Sequence, residues 1–293
     1  MTDAELTATL RLFEPAPGVF AYYDGRIAGR RLHGPASNWL DDGAYALGIA
    51  SYAVVDGDEA LVFDSHITLA HARAIRAHLT GLGVRSFRLL LSHWHDDHVA
   101  GNAVFADGDI IAQRLTAEAL AAHRPDLEAG DPPIRPLVLP NRTYETELAL
   151  TVGRRPVLAR HFAIHSADAT VLLLPDAGLL LAGDVVEDCV TYVSEAAATP
   201  THTAELDRLA RLPLARLLPA HGRPEVIAAG GYPPALIPAT RRYLDRLLAG
   251  DGRDGTPLKP FLATDFASGL LGYFEPYERV HAANVAALAA AFP

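Results

Sequence analysis

The stretch Ser92-His93-Trp94-His95-Asp96-Asp97-His98 decides how the rest of this sequence is read. It follows the apolar run Phe87-Arg88-Leu89-Leu90-Leu91 and precedes Val99-Ala100-Gly101-Asn102. Three imidazoles and the Asp97 carboxylate fall within six residues, 93–98. His93 and His95 are two apart, so in an extended segment leaving a strand their side chains point the same way and can grip one metal ion. Asp97 and His98 fall where the chain must turn. They point elsewhere and suit a second ion a few ångströms away.

Outward from this stretch, alternating strand and helix patterns predict an α/β fold. Residues 46–55 and 60–64 read as a hairpin around Asp56-Gly57-Asp58, which delivers Asp64 to a sheet edge. Residues 67–82 carry Ile67, Ala70, Ala74, Ile75 and Leu79 at helical spacing, with Gly81 and Gly83 as the stop. His71 and His78 of this helix are expected to face solvent. Residues 84–91 return as a strand, and a strand-helix-strand unit implies parallel pairing. A second helix is expected to open near Val99, with Gly101 allowing close packing beneath the loop. Residues 109–112 read as a strand and 115–123 as a helix. The segment 124–140 holds Pro125, Pro132, Pro133, Pro136 and Pro140 and reads as a loop bordering a pocket. Residues 157–164, 171–174 and 179–181 form a second set of strands, followed by a helix at 204–212 and a strand at 215–218. Beyond Pro224, helices at 239–248 and 277–292 flank a loop at 250–260. Val280, Val285 and Leu288 of the last helix are expected to pack on the core.

The pattern His93-x-His95-x-Asp97-His98 resembles the signature of the metallo-β-lactamase-fold hydrolases. Four further features in order strengthen the resemblance, over about residues 45–225. Asp64, in Val62-Phe63-Asp64-Ser65, is similar to the aspartate at the strand end before the motif. His165, in His165-Ser166-Ala167-Asp168, resembles the lone downstream ligand. Asp184, in Leu181-Ala182-Gly183-Asp184, resembles the bridging carboxylate. His221, in Leu218-Pro219-Ala220-His221-Gly222, resembles the last ligand.

The resemblance implies a four-layer αββα sandwich with the metal site at one edge between the sheets. An irregular N-terminal arm (1–44) with short strands, a metal-binding core (45–225) and a helical C-terminal extension (226–293) then make up one domain. It further implies one ion at His93, His95 and His165, a second at Asp97, His98 and His221, and Asp184 bridging them. Two Zn²⁺ per chain suit such ligands, as do Fe or Mn. Ions about 3.5 to 4 Å apart would hold a bridging hydroxide that cleaves an ester, thioester, lactone or amide-like bond in a small molecule. Asp97 would also carry a proton to the leaving group, and Asp64 would accept hydrogen bonds from the metal loop. His66, Trp94 and Tyr192 are the candidates for substrate contact. Asp168 is expected to brace its loop, and His161 to lie at the surface or behind the ligands. The alternative on the same scaffold is a mononuclear non-haem iron oxygenase of the persulfide dioxygenase type.

The chain as a whole is compatible with these expectations. Its 293 residues are 50% apolar and 20% charged, with a formal net charge of −10. An acidic balance without a basic arm repels phosphate backbones and argues against a nucleic-acid partner. No run of eighteen apolar residues suggests a membrane span. Met1-Thr2-Asp3-Ala4-Glu5-Leu6 has no cationic cluster leading an apolar stretch, and the single cysteine, Cys189, allows no internal disulfide; both suit a reducing cytoplasm. Oligomeric state and substrate identity are not written in these patterns.

Overall fold

The apolar run before the histidine stretch is a central strand covered on both faces. The computed structural model describes residues 1–293, and twelve strands form two sheets. The first sheet contains, in chain order, β1 (Arg11–Ala16), β2 (Val19–Asp24), β3 (Ile49–Asp56), β4 (Glu59–Phe63), β5 (Ser86–Leu90), β6 (Asp109–Gln113) and β7 (Arg142–Tyr144). The second contains β8 (Glu147–Val152), β9 (Arg155–His161), β10 (Thr170–Leu174), β11 (Leu179–Gly183) and β12 (Arg216–Pro219), in the order β12-β11-β10-β9-β8.

Strand periodicity sorts the core into layers. Leu61, Phe63, Leu90 and Ile111 point toward the second sheet and share a cluster with Val157, Ala159 and Leu172. Ala60, Val62, Leu89, Ile110 and Ala112 point the other way, onto Ala72, Ile75 and Leu79 of the helix Leu69–Gly81. The outer face of the second sheet is covered by the helices Thr199–Leu209 and Leu236–Leu248, through Leu206, Leu209, Tyr243 and Leu244. Each fully buried Val, Leu, Ile or Phe side chain among these contributes about 1.5–3 kcal/mol. Four layers result, as expected.

Crossover helices make β4-β5-β6-β7 parallel, and β11-β12 likewise. The carboxyl ends of β4, β5, β11 and β12 therefore open on one edge, where crevices form outside parallel strands. Asp64, the 92–98 stretch, Asp184 and His221 follow those ends directly. Gly183, at φ +53°, lets β11 pass close by Ser92; a Cβ there would meet the Ser92 Cβ at 2.9 Å. Gly101 allows close packing as expected, since a Cβ would collide with the Ser65 carbonyl.

The short strands expected in the N-terminal arm are β1 and β2, which continue the first sheet, with β2 paired to β3 from Val19↔Val54 to Asp24↔Ile49. Several local expectations are corrected. No long helix opens at Val99. A four-residue helix, Asp96–Val99, and a 3₁₀ turn, Asn102–Phe105, stand there. The proline-rich segment begins with the helix Arg124–Ala129, and the loop expected at 250–260 runs into the helices Leu258–Phe261 and Ala263–Ala267. His71 is fully buried rather than exposed: it lies four residues before Ile75 on the helix's inner stripe, and Asp24 Oδ2 receives its Nε2 at 2.9 Å. His78 is half-buried against the Tyr22 hydroxyl at 2.8 Å. The last helix, Tyr277–Ala291, packs Val280, Val285 and Leu288 on the core as expected. No helix is long and apolar enough to cross a membrane.

Candidate metal centre

Three ring nitrogens meet at the centre of the site. His93 Nε2 lies 2.9 Å from His95 Nδ1, which lies 3.0 Å from His165 Nε2. His95 arrives from the extended residue before the short helix Asp96–Val99. His165 sits between β9 and β10 at φ +68°, a left-handed conformation costing of order 1–3 kcal/mol outside glycine. It is held there because Ser194 Oγ donates to its carbonyl and its Nδ1–H donates to the Tyr192 carbonyl, at 3.0 Å. That second bond leaves Nε2 as the lone-pair nitrogen facing the cluster.

A second group lies alongside. Asp64, itself at φ +66°, accepts from the Ser92 backbone N–H at 2.7 Å and from His98 Nδ1 at 2.8 Å. His221 donates from Nδ1 to the Gly48 carbonyl at 2.7 Å. Both rings therefore present Nε2 inward, His98 to Asp97 at 3.4 Å and His221 to Asp97 at 3.3 Å. Between the groups stands Asp184. Its Oδ2 is 3.2 Å from His98, 3.6 Å from His221, 3.7 Å from His165 and 3.8 Å from His93.

These donors fit a metal. His98 Nε2 and Asp184 Oδ1 are buried without a hydrogen bond, which is costly unless a cation accepts their lone pairs. Three nitrogens facing one another at 2.9–3.0 Å approach the roughly 3.3 Å edge of a tetrahedral site with bonds near 2.05 Å. His93, His95 and His165 form one group that could hold an ion, and Asp97, His98 and His221 another.

The charges are sorted in the same way. Burial pushes His93 well down, His165 down and His95 to about 3, so these rings are neutral lone-pair donors. Burial also opposes charge on His221, but Asp184 and Asp97 outweigh it and raise the ring to about 9. Asp97 is raised by burial yet held at about 2 by His98 and His221. Burial and the nearby Asp184 charge push Glu187 up to about 7.

A cavity of about 510 Å³ opens onto the centre. Trp94 lines it, stacked on His123 with ring centroids 4.5 Å apart, and so does Tyr192, which is 46% exposed. His66 does not: it is fully buried, stacked on His71 at 4.5 Å, because its φ of +68° turns the ring beneath the loop. Asp168 and His161 also lie outside the cavity, and His161 donates to the Ala167 carbonyl at 2.8 Å. Cys189 is buried packing, with its thiol on the Gly272 carbonyl at 3.1 Å. The pocket expected of the proline-rich segment is a separate one: Pro132, Pro133 and Ile134 line a cavity of about 400 Å³.

Sequence patterns singled out none of Trp39, Glu187 and Arg279 as individual site residues, and all three line the metal-side cavity. Trp39 comes from the π-helix Trp39–Tyr45 and is anchored by its indole N–H on the Pro132 carbonyl at 2.8 Å. Arg279 comes from the last helix and is the one Lys or Arg in the lining. Only Glu187 carried a signal, an acid three residues after Asp184 beyond two valines.

Comparison with known proteins agrees with this geometry. Residues 44–221 match the family model described as the metallo-beta-lactamase superfamily. No curated protein matches the chain. A metallo-beta-lactamase from Pontibacter korlensis is similar in structure, with a TM-score of 0.61 and 19% identity over 80% of this chain and 99% of that one. The DIM-1 metallo-beta-lactamase is similar at a TM-score of 0.62 and 16% identity, over 80% and 97%. At such identities the likeness speaks for the fold alone.

Proposed function

The chain belongs to the metallo-beta-lactamase superfamily, and from that premise we propose that it is a dinuclear, zinc-dependent hydrolase acting on a small molecule. The bond class is an ester, thioester, lactone or amide-like linkage. One observation carries the reading: a single carboxylate oxygen, Asp184 Oδ2, lies within 3.8 Å of nitrogens from both histidine groups. Such a position supports a role as a ligand shared by two ions.

His93, His95 and His165 would hold one ion, Asp97, His98 and His221 the other, and Asp184 both. When bound, such cations supply Lewis acidity, making a water nucleophilic near neutral pH and offsetting charge on the attacked carbonyl oxygen. Asp97 is ionised at neutral pH and lines the cavity, so its carboxylate can take a proton and pass it to the leaving group. Asp64 keeps His98 in the tautomer that presents Nε2. Trp39, Leu47, Trp94 and Val280 form an apolar wall that excludes water and receives the body of the substrate. Arg279 supplies a cation for an anionic substituent. The net charge of −10 supports a small-molecule partner over nucleic acid.

Elemental analysis of protein purified without added metal tests the reading. About two zinc ions per chain are expected, followed by turnover in a screen of lactones, thioesters and β-lactams. About one iron per chain would overturn it and transfer the assignment to oxygen-dependent chemistry on thiols and persulfides.

A further inference from the structure

We infer that Glu187 is an additional ligand of the ion held by His93, His95 and His165, a carboxylate supplied beyond the seven-residue set that the histidine and aspartate pattern implies. The inference rests on the metal reading above. Its grounds are the position and surroundings of one buried acid. The donor atoms of Glu187, His165 and Asp184 all lie within 4.8 Å of one another. Ligands of one ion bonded at about 2.0–2.2 Å stand no more than about 4.4 Å apart, so a small side-chain adjustment brings Glu187 to ligand distance from His165 and Asp184, on the side of the ion that those two residues face.

Glu187 is 2% exposed and lines the cavity. Its two hydrogen bonds come from neutral donors: the Tyr192 backbone N–H reaches Oε1 at 2.9 Å and the Tyr277 hydroxyl reaches Oε2 at 3.2 Å. A carboxylate carries about four lone-pair positions, so two contacts leave each oxygen able to ligate. Two buried carboxylates, Glu187 and Asp184, beside one another without a cation would repel in a low-dielectric site. A divalent ion between them and His165 removes that repulsion.

The two donors also show how the ligand is aimed. Tyr192 belongs to the loop after β11, and Tyr277 starts the last helix, outside the matched segment 44–221. A hydroxyl of the C-terminal extension thereby reaches the metal centre. Glu187 would thus add one more protein ligand to the Asp184 carboxylate and the three imidazoles around this ion.

The test uses the full-length protein stripped of metal and reloaded with cobalt(II), comparing visible spectrum and chelator-driven release for wild type and Glu187→Gln. The amide oxygen can still accept from either donor but ligates poorly. Expected are stronger visible absorption, as the coordination number falls, and cobalt release at least about tenfold faster. Tyr277→Phe serves as the control. It removes a donor but keeps the carboxylate, so its spectrum stays that of wild type even if its melting temperature falls. Should Glu187→Gln not fold, Glu187→Asp, one methylene too short to reach, is expected to speed release in the same direction. A wild-type spectrum and release rate in the Gln or Asp variant overturns the inference. A wild-type cobalt complement and spectrum in His95→Ala would instead overturn the metal reading itself.

Discussion

Asp64 Oδ2 accepts the Nδ1–H of His98 at 2.8 Å, across 34 residues of sequence, while its Oδ1 takes the Ser92 backbone N–H at 2.7 Å. One carboxylate thus orients both the first residue of the metal loop and the last histidine in it. Removing it with Asp64→Ala frees the His98 ring and leaves a buried N–H unpaired. Metal affinity is expected to fall by about 10- to 100-fold, read by chelator competition. An unchanged affinity would show that His98 is oriented by something else.

His95→Ala takes away the nitrogen common to both short contacts in its group, 2.9 Å to His93 and 3.0 Å to His165. Hydrolysis is expected to be abolished and metal content to fall by about one ion per chain. A fully metallated, active variant would remove the basis for the site.

Arg279→Ala deletes the one Lys or Arg lining the cavity. For a substrate bearing a carboxylate, KM is expected to rise about tenfold, equivalent to about 1.4 kcal/mol, while a neutral analogue is unaffected. Equal effects on charged and neutral substrates would count against a charge contact.

The part of the cavity wall that Trp39 forms depends on Asp41. Its carboxylate accepts from the backbone N–H groups of Leu32, His33 and Gly34 and from the Asn38 amide, knotting the loop that carries Trp39. Burial pushes this acid up, but those donors outweigh it and hold it below the usual carboxylate value. A depressed folded pKa contributes stability above the unfolded value of about 4, and that stability is lost as pH falls through the folded value. Asp41→Asn is therefore expected to melt below wild type at pH 7, with the gap narrowing toward pH 3. A gap that widens on acidification would contradict the assignment.

Much of this was legible in the sequence, because it depends on donors and periodicities that are local. Two-residue spacing at a strand end aims His93 and His95 alike, and short apolar runs bounded by turn residues, such as Leu172-Leu173-Leu174 before Pro175-Asp176-Ala177-Gly178, suit strands buried on both faces. Edge strands were harder. β8 carries only a weak alternation, with Leu148 and Leu150 half-buried between exposed positions and Val152 buried, and β7 is three residues long.

What only the tertiary structure decided is which distant segments close around the centre. His71 reads as a surface residue until Asp24, 47 positions earlier, is seen to meet it. His66 reads as a pocket residue until its left-handed backbone turns it inward. Trp39, Glu187 and Arg279 reach one cavity from three separate elements, and no local pattern states that they will meet. Ligand chemistry is a property of residue type and spacing. Pocket walls are a property of packing between elements, which the chain settles only when both sheets and their helices have closed on one core.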